Sequence, residues 1–303
     1  MLSKIDLKNN CSLFYVESPF QLIQSVEAIH AFAIEKSKII IRENSSDNNN
    51  KQMREIVRIL KLNECAFIKC HQNSSRCIFL ILRLIFQGYF YKNIYIGDEN
   101  SKIFRLSVNL INKQKVILMD DGVATLFSKN DSLNFHRFSM FPLGVNTTIN
   151  TFSHLSSCIG NKNRYKHVII GMDLISAGIC TAANYQDFII ELAAKFPQES
   201  DSILYIPHRN ETKNDIKVLG AIENIHIKKT RLPIELIGLE LNMQPISVST
   251  FFSSAIFSME KIYPESEFFI YKIPKCKIQK RRNSIEAIYK YIEFKSNFNV
   301  INL

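Results

Sequence analysis

VILMDDGVATLF, residues 116–127, sets a short apolar run against two adjacent acids and a glycine, after which apolar residues resume. An Asp-Gly pair is ordinarily a turn, because Asp tolerates unusual backbone angles and glycine supplies a positive φ. A hairpin turn is followed by an antiparallel partner of alternating pattern, which LFSKNDSLNF (126–135) does not supply. Apolar runs without polar alternation suit parallel strands covered on both faces. Working outward, SLFYV (12–16), KIIIR (38–42), NIYIG (93–97) and KVILM (115–119) are such runs. Helical apolar spacing separates them at Phe20–Phe32, after a Ser18-Pro19 start, and at Met53–Leu60. The polar run ENSSDNNNK (43–51) reads as an exposed loop. CIFLILRLIFQGYFY (77–91) is too short and too interrupted to span a bilayer; it reads as a buried helix, with a membrane-lying helix as the alternative.

NTTINTFSHLSSCIGNKNRYK (146–166) is polar and marks a domain boundary. The alternation then restarts with strands at HVIIG (167–171), SILYIP (202–207), IHIKK (225–229), PISVS (245–249) and EFFIYKI (267–273). Helical segments fall at Tyr185–Phe196, Pro233–Leu241, from about Ser253, and at Ser284–Phe294. Two consecutive sets of βα units predict an α/β protein of two doubly wound, Rossmann-like lobes. The expected division is 1–155 for the first lobe, 166–280 for the second, and 281–303 for a C-terminal helix packing back toward the first.

In such sheets ligands bind beyond the carboxyl ends of the strands. The unusual polar clusters fall at those ends: Glu17-Ser18-Pro19, Gly97-Asp98, Asp120-Asp121-Gly122, Pro207-His208-Arg209 and Thr250–Ser254. His208 follows an apolar strand directly, where an imidazole can donate to a phosphate or protonate a leaving group; the plainer alternative is a surface-loop histidine. Ser253 and Ser254 precede a helical run, so they serve as a cap, an anion site, or both. Asp120 and Asp121 suit a turn, a pair of metal ligands, or a carboxylate base for a hydroxyl. No GxxxxGK[ST] or GxGxxG is present.

The 303 residues carry a net charge of +10 and are 46% hydrophobic, with a pI of about 9.2 and a mean hydropathy of -0.03. These values suit a globular protein with an anionic partner. Much of the charge lies in KIPKCKIQKRR (272–282), a solvated basic face or a contact for anionic lipid. Most of the 22 phenylalanines sit in apolar runs rather than among basic residues, which argues against nucleic-acid binding. Seven scattered cysteines without CxxC spacing suggest reduced thiols, and MLSKIDLKNN (1–10) has no apolar signal core.

SPFQ after the first strand, DDG, PH after a strand and FFSSA occur in that order. The set resembles the bacterial sialyltransferases of glycosyltransferase family 52 and their polysialyltransferase and family 80 relatives. They carry a D/E-D/E-G motif, an HP motif and a serine motif in this order. The resemblance implies a GT-B fold with acceptor on the first lobe and CMP-sialic acid on the second, facing a central cleft. It implies an inverting transfer to a glycan acceptor, with no cofactor and no metal. Asp121 matches the general base, with Asp120 as the alternative. His208 matches the contact to the CMP phosphate, and Ser253 and Ser254 match the serines that hold it. Glu235 matches a carboxylate on the cytidine ribose, and Gly171 and Arg209 fall on the same donor side. Gln21, Ser18 and Asp98 fall on the acceptor side. The chain departs from the pattern at His208-Arg209, where the family has histidine-proline. A cytoplasmic enzyme at the inner face of the bacterial inner membrane is the expected setting.

Overall fold

The computed structural model describes residues 11–70, 75–98, 101–107, 110–127, 135–160, 166–197, 203–294 and 297–303. The N-terminal decapeptide, most of LFSKNDSLNF and the middle of the polar linker (161–165) lie outside the described residues.

The chain divides into two compact units, 1–155 and 156–303. In the first, parallel strands β1 (Cys11–Val16), β2 (Lys36–Glu43), β3 (Cys65–Lys69), β4 (Asn93–Ile96), β5 (Val116–Met119), β6 (His136–Ser139) and β7 (Thr147–Ile149) form one sheet. Its order is β3-β2-β1-β4-β5-β6-β7, so the chain reverses direction of travel between β1 and β4, where ligands bind in open α/β sheets. Both faces of β1 are buried: Leu13 and Tyr15 on one, Phe14 and Val16 on the other. That explains its unbroken apolar sequence. After the DDG, β6 pairs parallel to β5 (Met119 beside Phe138), so the segment is a crossover and not a hairpin. Gly122 nonetheless has a φ of 64° and turns the chain into a 3-10 segment, Gly122–Phe127.

Helix α1 (Pro19–Ala31) begins where the sequence placed it, capped by Ser18, whose hydroxyl accepts from Gln21 N–H (3.3 Å), with Pro19 in the first turn. Helix α2 (Asp47–Ile59) corrects one expectation in part: of the run read as a loop, 43–51, residues 47–51 are helical and 44–46 form the connection from β2. Ser46 caps it by accepting from Asn49 N–H, and Asp47 lies in the first turn, where an acid favours the positive end of the helix dipole. Helix α3 (Ser75–Gly88) packs Leu80 and Leu84 against the sheet beside Leu13, Tyr15, Ile40 and Ile94. Its opposite side is exposed, so it is buried on one face only. A short helix α4 (Lys102–Ser107) packs against it. Helix α5 (Ser153–Ile159) lies within the polar segment read as the domain boundary. The buried Glu27 carboxylate accepts from His154 and Leu155 N–H at its start, and the His30 and His154 rings stack there at 3.3 Å.

In the second unit β8 (His167–Ile170), β9 (Ile203–Ile206), β10 (Ile225–Ile227), β11 (Ser247–Thr250), β12 (Glu267–Lys272) and β13 (Asn299–Asn302) form a parallel sheet of order β10-β9-β8-β11-β12-β13. Helices α6 (Ala182–Ala193), α7 (Lys213–Ile216), α8 (Ile237–Leu241), α9 (Ala255–Ile262) and α10 (Arg282–Phe294) connect them. Residues 281–303 belong to this unit: β13 pairs with β12, and Ile273 N–H donates to the Tyr289 hydroxyl (3.1 Å). The basic run 272–282 is held to the same unit. Lys272 pairs with Glu293 (2.6 Å), Lys275 pairs with Glu286 (2.7 Å), and Lys277 Nζ donates to Asn184 (3.2 Å). Among the described residues, no helix is long and apolar enough to cross a membrane.

Asp120 closes the end of β5. It is fully buried, and its carboxylate accepts from the Ser139 hydroxyl (2.5 Å) and Met140 N–H (2.7 Å) at the end of β6. Its backbone exchanges two hydrogen bonds with the Gln24 carboxamide on α1. Asp120→Ala strands two buried donors and is expected to lower unfolding free energy by about 3 kcal/mol, measured by urea denaturation. Asp121→Ala, whose side chain is solvent-accessible, is expected to move it by less than about 1 kcal/mol.

Candidate functional site

The first unit assembles a polar cluster at the carboxyl ends of β1, β2, β4 and β5. Gln21, buried in the first turn of α1, is its hinge: Oε1 accepts from Glu17 N–H (2.7 Å) and Nε2 donates to Asp121 Oδ1 (3.0 Å). Gly97 makes room for it, since a Cβ there would lie 2.4 Å from Gln21 Oε1. Asp121 N–H donates to the Thr125 hydroxyl (2.8 Å), which fixes the backbone. Its carboxyl remains accessible at the strand mouth. Surrounding protein nevertheless desolvates it, which raises its pKa above the ordinary 3.8; the Glu17 charge pushes the same way and the Gln21 bond opposes.

Asp120 and Asp121 therefore do different things. Asp120 points inward and is consumed by structure, so the alternative of Asp120 as the reactive acid is not what the geometry favours. Ser18 is occupied as a helix cap, and Asp98 follows Gly97 at the end of β4, half-buried. Glu17, Arg42 and Ser101 are additions that sequence reasoning did not single out as site residues. Arg42 donates to Glu17, which also accepts from the Tyr15 and Ser101 hydroxyls (2.7 Å each). Arg42 further donates to Cys70 C=O (3.1 Å). The legible signal for Arg42 was a charge ending the apolar run KIIIR.

In the second unit three strand-end loops come together. Gly171 follows β8, His208 follows β9, and Phe251–Ser254 follows β11. Phe252 N–H reaches Met172 Sδ (3.4 Å), joining the first and third. A Cβ on Gly171 would fall 2.2 Å from Glu211 Oε2 and 3.0 Å from His208 N, so only glycine lets these loops approach. Glu211, a second residue the sequence reading passed over, holds the His208 loop. It accepts from His208 N–H and from the Tyr205 hydroxyl (2.6 Å), to which the Tyr185 hydroxyl is bonded (2.8 Å).

His208 is half-buried. Its Nδ1 accepts from Asn210 N–H (3.3 Å), which assigns the hydrogen of the neutral ring to Nε2. Burial lowers its pKa below 6.5; Arg209 adds to this and Asp173 opposes it. Glu235, in a 3-10 turn (Ile234–Leu236), is buried, which raises its pKa; the Ser258 hydroxyl (3.4 Å) and the Arg209 charge act the other way. Ser258 belongs to α9, whose start holds the serine pair. Ser253 Oγ accepts from Ala255 N–H (3.4 Å), whereas Ser254 makes no side-chain cap. The predicted donor residues Gly171, His208, Arg209, Glu235, Ser253 and Ser254 thus share one end of the second sheet. Among the described residues, no group of three His, Cys, Asp or Glu side chains is arranged to hold a metal.

The sequence matches no protein-family model, and no curated protein matches it. Solved structures do resemble it. A protein from Listeria monocytogenes assigned as a UDP-N-acetylglucosamine 2-epimerase superposes with a TM-score of 0.57 at 12% identity, over 95% of this chain and 88% of that one. The UDP-GlcNAc 2-epimerase from Methanocaldococcus jannaschii gives 0.56 at 12%, over 96% and 88%. The one from Neisseria meningitidis, bound to UDP-GlcNAc, gives 0.56 at 12%, over 95% and 92%. The chain has a two-lobed α/β GT-B fold.

Burial raises the Glu211 pKa to about 7, from 4.5. Between those values the folded state holds a proton that the unfolded state has lost, so stability falls as pH rises. Stability is expected to drop by on the order of 3 kcal/mol from pH 4.5 to 7 on this account. Glu211→Gln should flatten that slope in urea titrations run across the range.

Proposed function

We propose that this chain is a glycosyltransferase that moves sialic acid from CMP-sialic acid to a hydroxyl of a bacterial surface glycan, such as lipopolysaccharide, O-antigen or capsule. Transfer is inverting and requires no metal. The carrying observation is the separation of roles in the DDG: Asp120 is locked in the core while Asp121 is held by Gln21 at the strand mouth with a raised pKa.

Asp121 takes the proton from the acceptor hydroxyl as its oxygen bonds the anomeric carbon. The bond from that carbon to the CMP phosphate oxygen breaks, and its electron pair leaves with CMP. His208, through Nε2, and the serines at the start of α9 receive the departing phosphate, with Arg209 adding positive charge. Glu235 faces the ribose. On the other lobe Gln21, Ser18 and Asp98 form the acceptor side. A second reading keeps the machinery and changes the sugar to a related CMP-nonulosonate, legionaminic or pseudaminic acid; nothing in the donor residues reads ring substituents. A third changes the nucleotide.

CMP release from CMP-sialic acid, followed in EDTA with a galactose-terminated acceptor, tests the proposal. Asp121→Asn and His208→Ala are each expected to lower kcat/KM by roughly 10²–10⁴-fold. The pH profile of kcat/KM should rise as Asp121 ionises, with a midpoint above 3.8, and should not fall as His208 loses its imidazolium proton, since the neutral ring keeps the Nε2 hydrogen that meets the phosphate. Asp121→Asn should remove the acid limb. CMP binding without release points to another CMP-sugar. Thermal protection by UDP-GlcNAc and none by CMP overturns the proposal.

A further inference from the structure

The side of α3 turned away from the sheet is apolar. Leu80 and Leu84 face the core, yet Ile78, Phe79, Leu82 and Phe86, with Tyr89 just beyond the helix, are 59 to 71% exposed. At 3.6 residues per turn these five fall within about a third of the helix circumference. On α4, packed alongside, Leu106 is exposed too, and Leu110 follows it. Monomeric proteins seldom leave so many large side chains together in water.

Charge indicates what covers them. Residues 75–116 carry seven Lys and Arg against two acids, Asp98 and Glu99, a net of +5. An apolar strip in a segment of net positive charge is complementary to an anionic lipid surface, where acyl chains take the apolar groups and headgroups take the charge. A second copy would set one net positive segment against another. The basic run 272–282, the sequence's own candidate for lipid contact, is a weaker one, since several of its side chains are already paired within the second unit.

We propose that the α3–α4 face of the first unit docks on an anionic bilayer surface, apolar side inward, without spanning it. Helix α3 leaves the carboxyl end of β3, the end of the sheet that carries Asp121. Docking there brings that end near the membrane plane, where a lipid-linked acceptor would be presented. The docking itself does not depend on which sugar is transferred.

Co-sedimentation with phosphatidylglycerol/phosphatidylcholine vesicles and with pure phosphatidylcholine vesicles tests this, alongside light scattering. Wild type is expected to bind the anionic vesicles, weakly at high salt, and to bind the neutral ones at least about tenfold less. The triple substitution Phe79→Glu, Leu82→Glu, Phe86→Glu should lose at least about tenfold in binding while keeping its unfolding curve and CMP-release rate on a soluble acceptor. Lys277→Glu with Lys280→Glu should bind as wild type does. Undiminished binding by the triple variant overturns the proposal. So does a wild-type dimer that the same variant turns into a monomer, which would make a second copy the occupant.

Discussion

The hydrogen bonds around Asp120 are the constraint on which the first lobe's strand mouth depends. A carboxylate with no exposure is costly to bury unless its oxygens find donors. Here it takes two from the end of β6 while its peptide group is clamped by Gln24 of α1. Three elements are thereby fixed at one point. Asp121 lies past the end of β5, its N–H bonded to the Thr125 hydroxyl and its exposed carboxyl bonded by Gln21. With Asp120 anchored, Asp121 is held at the strand mouth by these two bonds. Two adjacent acids are thus one device, the first an anchor and the second a reactive group held beside it.

The two lobes solve the same packing problem with different chemistry. In each, the central strand region ends near a glycine over which a polar side chain lies: Gln21 over Gly97, and Glu211 over Gly171. The first lobe uses a neutral carboxamide, which passes a hydrogen bond on to Asp121 and keeps that acid's pKa from rising further. The second uses a carboxylic acid under two tyrosines, which holds the His208 backbone. A Cβ at either glycine would meet the polar side chain laid over it, and at Gly171 the His208 backbone as well, so each glycine makes room for the polar group that orders its strand end.

Much of this was legible. Unbroken apolar runs identified β1, β2, β4, β5 and the main strands of the second lobe, and their polar ends marked the site. What escaped detection has physical causes. CAFIK (β3) is an edge strand with its side chains half-exposed, and HRFS and TTI are short and polar, so none shows the apolar run of a buried parallel strand. The Asn-rich helix was hidden because a cap and tertiary packing outweighed weak propensity. Arg42 and Ser101 act through Glu17, 25 and 84 residues away, and no local pattern records such a pairing; Glu211 lies three residues past His208 and bonds its N–H, a local contact the strand-end reading stopped short of. The α3 segment was read as buried because composition alone cannot say that only one side of an apolar helix meets the core.

Each lobe is a continuous stretch of chain, 1–155 and then 156–303. During synthesis the first sheet can therefore close before the second has emerged. Within it the order in time is less simple. Strand β1 lies between β2 and β4, so it gains one neighbour early and must wait for residue 96 to gain the other. Through that interval one edge of a strand buried on both faces is open, and α3 is made just before the strand that closes it. A nascent chain has its greatest need of shielding there, midway through its first lobe rather than at either end.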